Sequence, residues 1–206
     1  MIRIVFSKKS FATYISHLDM MRCMSRLFSR AEVPIWFTQG FNPHPYMVFS
    51  AALPIGIEGE NEFLDIKLTE ECDLDALCER MNESVPRGLT FKKIYKADNS
   101  FSEIVSALYT IKMPQEYLES FSEFISRNII NISKKTKKGV IEVNLKDYLR
   151  YEREGDSFKV ILPCGNDMNL SPNLLTKAYL DENIDKTNDF DITRHCFYRA
   201  DGSLFE

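Results

Sequence analysis

The six residues Asp98-Asn99-Ser100-Phe101-Ser102-Glu103 decide how this chain is read. They are polar and turn-forming, and they separate two strand-like runs, 89–97 before them and 104–113 after them. The stretches on either side repeat one order of elements, so two units are expected, 1–98 and 104–206. A single α+β sandwich is the alternative arrangement.

Upstream of the break, Asp73 caps a helix through about Glu83, with Leu74, Leu77 and Met81 at core spacing and Pro86 and Gly88 ending it. Residues 61–69 alternate, Phe63, Asp65 and Lys67 against Leu64, Ile66 and Leu68, which predicts a strand with one solvated and one buried face. Residues 35–38 and 46–52 are further extended candidates around a Pro-rich loop. Ser16 caps the best-marked helix, which should stop near Ala31 because Pro34 disfavours helical geometry before it. Residues 2–6 open the unit as a strand. The order is β, α, β, β, α, β with a long insertion after the second strand.

Downstream, Pro114 suits a first helical residue, and Tyr117, Leu118, Phe121, Phe124 and Ile125 make an apolar stripe. Strands at 129–133 and 139–145 flank the basic run Lys134, Lys135, Lys137 and Lys138, which is either a phosphate grip or a solvated tip. Another strand, 159–162, follows the turn Gly155-Asp156, while 147–154 is open between strand and helix. Ser171-Pro172 starts an amphipathic helix, and 191–199 closes the unit. There His195 and Cys196 should face opposite ways, with Cys196 in the core. The halves share element order without sequence identity. The fold expected is therefore α+β, two tandem ferredoxin-like (βαββαβ) units packed as one compact chain.

Composition narrows the classes. With 44% apolar residues and 15 Phe, the chain has ample material for a core, so disorder is excluded. Five scattered cysteines without C-x-x-C spacing argue against a disulfide framework or a zinc ribbon and point to a reducing, cytoplasmic setting. No cofactor and no metal are expected, since His17, Asp19, His44, His195 and Cys196 lack ligand spacing. Neither a secretory start nor an apolar run of about 18 residues is present, so no membrane association is expected. A net charge of −4 means that any nucleic-acid binding would need a locally basic face. The segment Gly56-Ile57-Glu58-Gly59 is too acidic to cradle phosphate and reads as a turn.

Two segments are candidates for chemistry. In 38–45, Gly40 offers a positive backbone angle while Pro43 and Pro45 stiffen the chain, so Gln39, Asn42 and His44 are presented at low entropic cost. The other reading makes this a rigid connector whose Phe41 plugs the core. In the first helix, Ser16, His17 and Asp19 form the N-terminal turn, and Arg22, Arg26 and Arg30 follow at four-residue spacing. That stripe either meets phosphates or is a solvated face with Asp19 paired to Arg22.

The stretch ISHLDMMRCMSRLFSRAEVPIWFTQGFNPHPYMVFSAALPIGIEGENEFLDIKL resembles the N-terminal signature of the radical-SAM-linked family, a domain of unknown function fused to or encoded beside radical SAM enzymes. Ser16, His17, Asp19, Arg22 and Arg26 match its S-H-L-D helix, and Gly40, Phe41, Asn42, Pro43 and His44 match its G-F-N-P-H-P loop. Ser29 and Tyr46 stand where basic residues are usual in the family, which weakens an electrostatic grip on RNA. The resemblance implies an accessory or substrate-binding protein for a separate radical SAM enzyme, in RNA modification or processing, with the partner supplying the iron-sulfur cluster. The alternative is a metal-independent, endoribonuclease-like enzyme using His17 or His44 as general base, and a third is a binder of a small anion at the helix N-terminus.

Overall fold

The computed structural model describes residues 1–136, 139–166 and 168–206. The α+β chain divides into two compact units, Met1–Glu103 and Ile104–Glu206. Among the described residues there are four α-helices, none long and apolar enough to cross a membrane.

The first unit runs β1 (Ile2–Lys8), α1 (His17–Arg30), β2 (Met47–Phe49), β3 (Ile57–Ile66), α2 (Leu74–Glu83) and β4 (Leu89–Lys96). Its strands lie in the order β4-β1-β3-β2, with antiparallel pairing throughout. The apolar stripe of α1, Met20, Met24, Leu27 and Phe28, is buried with Ile4, Phe6, Leu64 and Ile66 of the sheet and Leu77 and Met81 of α2. That arrangement follows from the 3.6-residue and two-residue periods meeting at one core.

Three expectations are corrected here. Residues 35–38 form no strand, only the isolated bridges Ile35 to Leu68 and Phe37 to Pro45, because Pro34 and Pro45 cannot donate to a ladder. Only Gly56, at φ +81°, serves the turn in 56–59, and Ile57 to Gly59 already belong to β3. The second face of β3 is not solvated: Phe63 and Asp65 are both buried. Asp65 stands opposite Arg3 in register, and its two oxygens take Arg3 Nε and Nη2 at 2.8 and 2.9 Å. The Arg3 guanidinium also donates to Asn99 O at 3.1 Å and lies 4.4 Å from the Phe101 ring. The 98–103 segment thus closes over a charge pair.

The second unit runs β5 (Ser106–Lys112), α3 (Leu118–Ser126), β6 (Asn131–Thr136), β7 (Gly139–Asn144), β8 (Arg150–Glu154), β9 (Ser157–Pro163), α4 (Pro172–Glu182) and β10 (Asp191–Tyr198). Strands β10, β5, β9 and β8 are neighbours in that order, all antiparallel, and β6 and β7 form a separate hairpin. Phe121 of α3 packs 5.1 Å from both Phe158 and Tyr179, which ties helices to one face of the sheet. Pro114 precedes a short 3-10 turn, Gln115–Tyr117, instead of opening α3, since its ψ of 146° is extended. Of the basic run, Lys134 Nζ meets Met168 Sδ at 3.5 Å, and Lys137 and Lys138 lie outside the described residues.

His195 and Cys196 do not face opposite ways. The register shifts between Arg194 and Cys196, so His195 is a bulge residue, and an extra residue breaks the alternation. Cys196 then stands opposite Leu108 and is half-buried, not core, while His195 Nε2 meets Thr110 Oγ1 at 2.7 Å.

Candidate functional site

Both sequence motifs fall in the first unit. At the start of α1, Ser16 Oγ accepts from the backbone N–H of Asp19 at 3.1 Å and donates to its carboxylate at 2.7 Å. Asp19 in turn receives Arg22 Nη1 at 3.1 Å. These two partners, Ser16 first, hold the Asp19 carboxyl below its ordinary range. Arg30 donates to Ser84 O at 3.0 Å, so within the stripe Arg22 and Arg30 are engaged and Arg26 is exposed.

His17 stands edge-on to Phe49 with ring centroids 5.1 Å apart. Together with Lys8 and Glu62 these two rings line a nook of about 20 Å³, room for a water and no more. Partial burial, and then the charge of Lys8, lower the His17 pKa. Lys8 is buried and donates to Ile15 O at 3.0 Å, and Glu62 is buried as well. Sequence reasoning missed both: Lys8 only ends an apolar strand, and Glu62 is one acid among several in 58–62.

Residues 38–44 close a tight hairpin. Thr38 N–H donates to His44 O at 2.9 Å, and His44 N–H returns to Thr38 Oγ1 at 3.2 Å. His44 Nδ1 lies 3.0 Å from Asn42 O, and a carbonyl can only accept, so Nδ1–H is the donor of this bond. Gly40 has φ +129°, a conformation side chains resist, with open space around it. The loop is anchored at its root, where Lys67 Nζ lies 5.0 and 4.6 Å from the Trp36 and Tyr46 rings. At its tip Phe41 does not plug the core: it is fully exposed, at 112%. Gln39, Asn42 and His44 are exposed beside it.

The two histidines are not brought together. His17 touches Phe49, whereas His44 bonds within its own hairpin. Four residues of mostly extended chain, Pro45 to Val48, lie between His44 and Phe49, a span of roughly 16 Å. Among the described residues no group of three His, Cys, Asp or Glu could hold a metal ion. None of the five cysteines is in a disulfide.

A family described as an uncharacterized protein conserved in bacteria, DUF2344, matches residues 1–172. The chain belongs to this family. The DUF2344 match takes in both motifs, the whole first unit and the second as far as Pro172, the first residue of α4. The description of DUF2344 names no activity and no partner. No curated protein matches the chain. Among solved structures, an X-ray crystal structure of a heavy metal efflux pump aligns with 94% of this chain and 28% of its own, at 10% identity and a TM-score of 0.27. A likeness that low carries neither fold nor function across.

Proposed function

We propose that this DUF2344 protein is a recognition protein, an accessory to a separate radical SAM enzyme acting on RNA, whose contact surface joins the N-terminal turn of α1 and the hairpin 38–44. The observation that carries the reading is Phe41, a large apolar ring held wholly in solvent on a hairpin closed by its own hydrogen bonds. A ring so placed contributes nothing to the core, and exposed apolar side chains on a preorganised loop are what partner surfaces use. The class of partner rests on the resemblance of the S-H-L-D and G-F-N-P-H-P segments. The order β4-β1-β3-β2 with element order β, α, β, β, α, β supports reading the first unit as ferredoxin-like, and β10-β5-β9-β8 supports the same for the second with the β6–β7 hairpin inserted.

The test is capture of partners by the tagged chain from a bacterial lysate, with and without nuclease, comparing the wild type with Phe41→Ser and with Arg22→Ala, Arg26→Ala. A radical SAM enzyme identified in the wild-type eluate and lost with Phe41→Ser is the expected result. Its recovery at unchanged yield with both variants would overturn the surface, and its absence would overturn the partner.

One observation favours a second reading, an RNA-acting enzyme. His17 has its pKa lowered and is therefore neutral near pH 7, the form a general base needs. Cleavage of RNA that survives the His17→Ala, His44→Ala double substitution would eliminate it.

A further inference from the structure

The second unit carries a surface that the proposed function does not use. Phe158, Val160 and Leu162 of β9 are buried on the helix-covered side of the sheet, opposite Ile111, Tyr109 and Ala107 of β5. On the other side two rows line up by register: Tyr198, Ser106 and Pro163, and then Cys196, Leu108, Ile161 and Arg150. Directly opposed residues share a face, so these rows make one surface. A cleft of about 550 Å³ lies at its end, with Tyr148 and Tyr198 beside an apolar floor of Ile161 and Pro163.

The charges around this cleft are unequal. Its acid, Asp201, accepts from Ser203 N–H at 2.9 Å and Ser203 Oγ at 2.7 Å within its own turn. On the same side of β8, Glu152, two residues from Arg150, stands opposite Lys159 in register, and Glu154 at the far end of the strand holds Lys159 at 2.6 Å, while Asp147 accepts from Asn144 at 3.0 Å. Arg199 is turned to Leu204 O and lies 5.1 Å from the Phe205 ring. Arg150 is exposed and has no ion pair among the described residues. What remains in the lining of the cleft is one guanidinium without an ion pair and two phenol rings.

A guanidinium matches the fork geometry of a phosphate, and aromatic faces over an apolar floor match the flat face of a base. The volume is in the range of small-ligand sites. We propose that this cleft binds a nucleotide, its phosphate on Arg150 and its base against Tyr148 and Tyr198, either free or as one residue of a single-stranded RNA. The site stands on the second unit alone and does not depend on the reading of the first.

The experiment is isothermal titration of the full chain with adenosine 5′-monophosphate, with adenosine and with an eight-residue oligoadenylate, for the wild type, Arg150→Gln and Tyr148→Ala. The nucleotide or the oligomer should bind the wild type, and Arg150→Gln should weaken it by about tenfold, as losing a charge-assisted bond does. Adenosine should bind the wild type no better than the nucleotide binds Arg150→Gln. Tyr148→Ala should weaken all forms that bind, and circular dichroism should show both variants folded. Binding of the oligomer alone would assign the source as RNA, and binding of the mononucleotide at equal affinity per site would assign a free nucleotide. No binding of either, or equal binding by wild type and Arg150→Gln, would overturn the site.

Discussion

Arg3 and Asp65 face each other across β1 and β3, both buried and joined by two hydrogen bonds. Arg3→Met would leave the carboxylate buried without its cation and should lower stability by about 3–5 kcal/mol, whereas adding Asp65→Leu should recover most of that loss. Urea unfolding of the three proteins checks it, and a single variant within about 1 kcal/mol of wild type would refute it. His17 gives a pH dependence. Its folded-state pKa lies below the usual histidine value, so the unfolded chain takes up a proton at higher pH than the folded chain does. This contribution is complete above about pH 6.5 and is lost as pH falls through the lower folded value. His17→Asn should therefore flatten the decline of the urea midpoint between pH 7 and pH 5, and an unaltered decline would reject the assignment. At this scale the sequence spoke only in part. Alternation in 61–69 said that the faces of β3 differ, but whether Asp65 meets water depends on Arg3 and on Phe101, far away in the chain. For the same reason Lys8 and Glu62 could not be joined to His17: the nook exists only once β1, β3 and α1 have met.

The helix starts were legible because caps are local. Ser16, Asp73 and Ser171 each accept a backbone N–H of the first turn they open. Ser16→Ala should lower stability by about 1 kcal/mol and increase amide exchange at the start of α1 without altering the core. Gly88, ahead of β4, is held more severely, at φ +87°, with any added Cβ only 2.4 Å from Lys9 O. Gly88→Ala should cost at least about 2 kcal/mol, visible as a fall in melting temperature. A melting temperature equal to the wild type would show that Lys9 can move aside. Elements that depend on pairing were less legible. Residues 35–38 have strand composition yet only two bridges, and the bulge at His195 is invisible to any reading that assumes uninterrupted alternation. Of the segment 147–154, Arg150–Glu154 became β8 because β9 offers it five register partners, a reason that lies in its neighbour, while Asp147 ends a 3-10 turn.

For the molecule as a whole, the sheet topology ranks the strands. Within the units, β1 lies between β4 and β3, and β5 between β10 and β9, whereas β4 and β8 have one partner each. Hydrogen exchange should find the slowest amides in β1 and β5, with outward amides of β4 and β8 and those of 39–42 exchanging fastest. Equal protection of β8 and β5 would contradict this order. That the chain is α+β, with four helices among the described residues, and that it belongs to a family of uncharacterised proteins were within reach of the sequence because both rest on local pattern, whereas the tie to radical SAM enzymes rests on the resemblance alone. The orientation of the motif side chains was not, and Phe41 shows why: a phenylalanine in a Pro-rich loop has the composition of a core plug. Its position in water has a consequence for how substitutions there would be judged. Burying such a ring in a partner returns about 2 kcal/mol, some thirtyfold in Kd, while removing it leaves the fold untouched. A screen that scores abundance or heat resistance would accept nearly any residue at position 41, and under the proposed recognition role only selection through a partner would hold it to phenylalanine.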